Sequence, residues 1–195
     1  MAGTLTKDEI REMEVLDYAR LRATLRSGDL LFASGNHWIS KAIQKVTDSP
    51  WSHVGIVFNV SSIDRVLLLE SVESQGVRFA PLSKYLKDYD KGKPYDGMVA
   101  LGRCDGIDTA VIEELSRSGI DHLTMSYDKD EIAKILARVA MGKGKHKRDR
   151  EYICSELVHE CFLEAGVNFK KDRRGFVSPQ NIWADAKVSL IGRIL

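Results

Sequence analysis

The chain is poor in several things, and each shortage removes a class of protein. Cysteine occurs only three times in 195 residues. An odd, small number does not suit a disulfide framework and fits reduced thiols in a cytosolic setting. Neither a C-x-x-C pair nor an H-x-x-x-H pair occurs, so zinc-binding spacing is absent and neither metal nor cofactor is expected. Net charge is only +1, and a chain so balanced is not expected to bind nucleic acid. No apolar run approaches the roughly 18 residues of a membrane span; the longest, such as "VLLLE", are strand-sized. The opening "MAGTLTKDEIREME" lacks the apolar stretch of a signal peptide, so a cytoplasmic location is the expectation. There is no internal repeat, no low-complexity tract and no phosphate-cradling glycine loop, "GKGK" being too short.

What remains is ordinary globular material, 44% hydrophobic and 29% charged. A chain of this size buries about 70% of its unfolded surface, enough for a core. Thr6 followed by Glu9 reads as a capping box, opening a helix to about Arg26 with Ile10, Met13, Leu16, Leu21 and Leu25 as an imperfect apolar face. "GDLLFAS" reads as a strand. Asn36 is placed to cap a helix carrying Trp38, Ile39, Ala42, Ile43 and Val46 on one stripe. "DSP" ends that helix, because proline disfavours helical geometry in the residue before it. "WSHVGIVFNV" and "RVLLLESV" follow as strands, with "SSID" between them as a hairpin loop. "GVRFAPL" and "GMVALGRC" read as further strands. Helices are expected near Asp108–Arg117 and near Lys129–Met141, the latter started by Asp128 and Glu131. The basic segment 142–150 interrupts. A helix then begins at Cys154 and stops at Gly166, and another starts at Ser178 with Pro179 in its first turn. "KVSLIGRIL" closes as a strand or a tail. Sequential strands with peripheral helices read as an α+β fold.

The stretch "REYICSELVHECF" raises the functional question. Cys154, Leu157, Val158, Cys161, Phe162 and Ala165 share one apolar stripe, so Cys154 could simply be core filler. A reactive thiol needs surroundings that favour the thiolate and an acceptor for its proton. The start of a helix supplies the first, through unpaired N–H groups and the macrodipole. Cys161 lies two turns further in and reads as core, and Cys104 as a packed or turn residue. Of the histidines, His53 stands in an apolar strand, where an imidazole is costly unless its nitrogens find partners. His37, His122, His146 and His159 read as solvated or structural. The alternative for His53 is a satisfied core histidine.

Strand arithmetic supplies a third group. If "SSID" closes the hairpin so that Val60 pairs with Arg65, then Gly55 faces Glu70, and His53 and Glu70 share one face. Glu70 becomes a diagonal neighbour of His53, roughly 7–8 Å away between backbones, which long side chains bridge. A slip of one residue would send Glu70 to the other face. Glu70 could instead be a strand-end residue reaching water, with Glu73 as the fallback acid.

In order along the chain, "GDLLF", "SPWSHVGIV", "LLLES", "YICSELV" and "SPQNI" resemble the YiiX-like permuted papain-fold hydrolases. These are a circularly permuted branch of the NlpC-type cysteine peptidases, related to lecithin:retinol acyltransferase. The resemblance spans about Gly28 to Ala186. It implies a circularly permuted papain-like fold, a small antiparallel sheet or partial barrel with the nucleophile helix packed against it. It implies Cys154 as nucleophile, His53 as base and Glu70 as the third polar residue. Residues 28–195 are then the hydrolase domain and residues 1–27 an N-terminal helix of the same unit. The expected activity is amide-bond hydrolysis through a thioester, the oxyanion being met by the Cys154 N–H and a second donor, for which Tyr127 and Tyr152 are candidates. Expected substrates are small molecules, peptides or lipid conjugates. Acyl transfer or lipid-ester hydrolysis would use the same triad, and a non-catalytic binding module could keep the same scaffold. The basic segment reads as a solvated loop, or as a rim that attracts anionic substrates.

Overall fold

The computed structural model describes residues 2–73, 75–126, 153–172 and 175–195. The expected helix near Lys129–Met141, the basic segment 142–150, and Tyr127 and Tyr152 lie outside the described residues. The frame is a six-stranded antiparallel sheet: β1 (Leu30–Gly35), β2 (His53–Val60), β3 (Arg65–Val72), β4 (Gly76–Pro81), β5 (Gly97–Cys104) and β6 (Val188–Arg193), in the order β4-β3-β2-β1-β5-β6. The helices are α1 (Lys7–Glu12), α2 (Tyr18–Leu21), α3 (Trp38–Thr47), α4 (Ser83–Lys87), α5 (Thr109–Asp121), α6 (Cys154–Glu164) and α7 (Pro179–Trp183). This is the expected α+β class, and the sheet is open and antiparallel.

β1 is central and buried along its whole length. Its alternating side chains therefore serve two cores. Leu30 and Phe32 point to a core shared with α6, α5 and α7, where Phe32 meets Trp183 edge-on with centroids 4.8 Å apart, and Trp51 meets Trp183 at 4.9 Å. Leu31 and Ala33 point to the other core, closed by Leu25, Tyr85 and Ile194. α6 packs across β2 and β3 and against α5.

The β2–β3 hairpin has the expected register. Val60 pairs with Arg65, Val57 with Leu68 and Ile56 with Leu69, so the turn keeps Glu70 on the same face as His53. Gly76 closes the next hairpin at φ +66°, and a Cβ there would lie 2.2 Å from the Met125 carbonyl oxygen. That carbonyl accepts the Val77 N–H at 2.9 Å, so close approach as well as conformation requires glycine. The caps read from sequence at Thr6 and Ser178 are both present.

Two expectations fail locally. The N-terminal segment is not one helix to Arg26. Its chain leaves helical geometry at Met13, Val15 bridges to Arg193, and the Leu16 N–H donates to the Arg193 carbonyl at 2.8 Å before Asp17 caps a short second helix. The open edge of β6 takes backbone that helical propensity alone would have kept. The second concerns α3, where Asn36 does not cap. It donates instead to Asp96, from Nδ2 at 2.9 Å and from its backbone N–H at 3.0 Å. His37 takes the N-cap position, and Trp38 is 68% exposed rather than on a buried stripe.

Candidate active site

Three elements meet at one end of the sheet. β2 begins with His53, β3 carries Glu70 near its end, and α6 begins with Cys154. Cys154 takes the first helical position, after Ile153 as N-cap, because the Ile153 carbonyl already accepts the Leu157 N–H at 3.1 Å. The sulfur therefore sits at a helix start, where the macrodipole favours negative charge. It lies 4.0 Å from the Ser52 carbonyl oxygen and within hydrogen-bonding reach of the His53 ring. His53 Nε2 faces Glu70 Oε2 at 2.8 Å.

Glu70 is fully buried and is the best-held residue of the site. Its Oε1 accepts from Arg78 Nε at 3.0 Å and Nη2 at 2.7 Å, and its Oε2 accepts from the Tyr85 hydroxyl at 2.6 Å. Burial works against its charge, but His53, Arg78 and Tyr85 together hold the carboxyl below its ordinary range. Burial likewise works against a charged imidazole, yet Cys154 and Glu70 outweigh it and push His53 up to about 10. Tyr85 is kept protonated by burial and by the neighbouring carboxylate.

The shift of His53 has a measurable consequence. A pKa raised on folding adds stability that is full below the unfolded value near 6.5 and is lost as pH rises through about 10. The stability gap between wild type and His53→Gln should therefore be widest below pH 6.5 and close towards pH 10 in urea titrations. A gap that does not vary with pH would show that folding leaves the His53 pKa unchanged.

All three thiols sit in the main core. Burial pushes Cys104 and Cys161 each up to about 12, and neither stands at a helix start beside His53. Among the remaining histidines, His122 caps α5 with Nδ1 2.6 Å from the Ser118 carbonyl, and burial lowers the pKa of His159 within α6. Glu73 lies in the turn after β3, and the carboxylate bonded to His53 is that of Glu70.

Sequence reasoning missed Arg78, Tyr85 and Tyr95. Arg78 had a readable signal: Val72 pairs with Gly76 across a tight turn, which sets Glu70 directly opposite Arg78, and opposite charges so placed attract. Tyr85 and Tyr95 had none. They come from α4 and the loop between it and β5, and they join Tyr89 in a ring cluster with centroids 4.7–5.2 Å apart.

An antiparallel sheet whose strand histidine meets a cysteine at a helix start defines a papain-like cysteine-hydrolase frame, here with the histidine strand ahead of the cysteine helix. The chain belongs to the family of permuted papain-like amidase enzymes, YaeF/YiiX, C92, whose model matches residues 24–176. A solved structure described as metalloprotein yiiX from Escherichia coli O157:H7 is similar at a TM-score of 0.65 and 19% identity, over 86% of this chain and 97% of that one. At that identity the likeness speaks for the fold. No curated protein matches the chain. Among the described residues no helix is long and apolar enough to cross a membrane.

Proposed function

We propose that this protein is a cysteine hydrolase that cleaves amide bonds in peptides or amino-acid conjugates, with Cys154, His53 and Glu70 as its triad. The observation that carries this reading is the 2.8 Å contact between His53 Nε2 and Glu70, which commits one ring nitrogen and leaves the other for the thiol. His53, pushed up to about 10, already holds the proton that Cys154 gives up, and the thiolate attacks the amide carbonyl carbon. The resulting oxyanion is met by the backbone N–H of Cys154 and one further donor, for which Tyr127 and Tyr152 remain the candidates. The imidazolium then protonates the leaving amine as the C–N bond breaks, giving a thioester. A water molecule, deprotonated by His53, attacks that thioester, and the carboxylic acid leaves as the thiol regains its proton.

The proposal takes residues 28–195 as the catalytic domain and residues 1–27 as part of the same unit. A cytoplasmic setting belongs to it too, supported by three free cysteines. The solved relative is described as a metalloprotein. Among the described residues no group of three or more His, Cys, Asp or Glu side chains is placed to hold a metal ion, so no step here is routed through one.

Iodoacetamide labelling at pH 6–7 tests the proposal. Fast, selective modification of Cys154 over Cys104 and Cys161 is expected. Equal, slow labelling of all three would favour a binding module on this scaffold and overturn the hydrolase reading.

A further inference from the structure

Each oxygen of Glu70 makes two hydrogen bonds. Arg78 grips Oε1 with Nε and Nη2, and Tyr85 shares Oε2 with His53. A carboxylate held this way cannot turn about its last torsion without breaking bonds at both oxygens. Arg78 is itself anchored, since its Nη1 donates to Gln75 Oε1 at 2.7 Å. Tyr85 is 1% exposed and wedged against Tyr89 and Tyr95, its ring roughly parallel to that of His53 at 6.5 Å. These supports come from different elements, β4 and α4, so no single local motion releases the carboxylate.

We infer that Arg78 and Tyr85 are positioning residues that lock Glu70 ionised and in one orientation against His53. The consequence is a fixed role for each ring nitrogen. A carboxylate at 2.8 Å from Nε2 takes that nitrogen's N–H as donor, leaving Nδ1 to hold the proton that Cys154 gives up. Without the lock, Glu70 would rotate or take up a proton, and His53 would lose the carboxylate that keeps it oriented and protonated. The inference rests on the triad reading above and adds to it the two residues that set the state of the base.

Two readouts on the full chain test it. The first is the proton NMR signal of the His53 ring N–H, expected far downfield and slow to exchange, and assigned by its loss in His53→Gln. The second is the alkylation rate of Cys154 by iodoacetamide at pH 7. Tyr85→Phe, which removes one hydroxyl and no charge, should move the proton signal upfield and slow alkylation about tenfold, the weight of one hydrogen bond to a charged group. Arg78→Met should erase the signal and slow alkylation further. Arg78→Lys, which keeps the charge without the two-pronged grip, should recover part of both. If Arg78→Met does not fold, Tyr85→Phe alone decides. An unchanged signal and unchanged rate in Tyr85→Phe and Arg78→Met would overturn the inference, as would a wild type that shows no such proton. A proton signal that responds to both variants while Cys154 labels no faster than Cys104 would uphold the positioning role and defeat the hydrolase reading instead.

Discussion

Replacing Cys154 by alanine should abolish amide hydrolysis, lowering kcat by about 10⁴-fold or more, because covalent chemistry has no substitute once the sulfur is gone. The fold should survive. The substitution removes one buried sulfur from a residue 6% exposed, a loss of about 1 kcal/mol, comparable to one methylene-sized group. Circular dichroism and the melting temperature should therefore stay close to wild type while turnover of any amino-acid amide or peptide that the wild type cleaves disappears. Cys104→Ala and Cys161→Ala provide the contrast, since burial pushes both thiols up to about 12 and neither lies beside His53. They should cost a similar amount of stability and leave the chemistry in place. Full activity in Cys154→Ala would end the proposal.

Glu70→Leu is expected to damage both stability and activity. It strands the Arg78 guanidinium, 24% exposed, and the buried Tyr85 hydroxyl without their acceptor. Removing one partner of a buried ion pair costs about 3–5 kcal/mol, which for a chain of this length lowers the melting temperature by roughly 10 °C. The double variant Glu70→Leu/Arg78→Met separates the two effects. With both charges replaced by apolar groups of similar size, most of the lost stability should return, but activity should not, because His53 still lacks its carboxylate. A double variant no more stable than Glu70→Leu would mean that the cost lies in packing rather than in the stranded cation.

Much of this site is legible in sequence, for identifiable reasons. The hairpin register follows from a short loop and from side chains that alternate with period two, so Val60–Arg65 pairing alone sets Glu70 on the face of His53. The start of α6 at Cys154 follows from the apolar stripe of its own residues. Arg78 was within reach of the same strand arithmetic, applied to one more hairpin. The N-terminal segment was misread because the bridge between Val15 and Arg193 joins residues at opposite ends of the chain, and no local pattern reports such a contact. The same holds for Asn36, whose cap position loses to Asp96 on the approach to β5.

Local order along the chain, then, determined the strands, the helix that starts at Cys154, and which polar side chain shares a face with which. These depend on periodicity and loop length, which act between near neighbours. The tertiary structure alone decided that the late helix brings its sulfur to the early histidine, and that Tyr85 of the short helix α4 caps the Glu70 oxygen opposite Arg78. Those contacts join distant segments whose meeting depends on how the helices and the sheet bury their apolar faces together, and no stretch of sequence carries that information by itself.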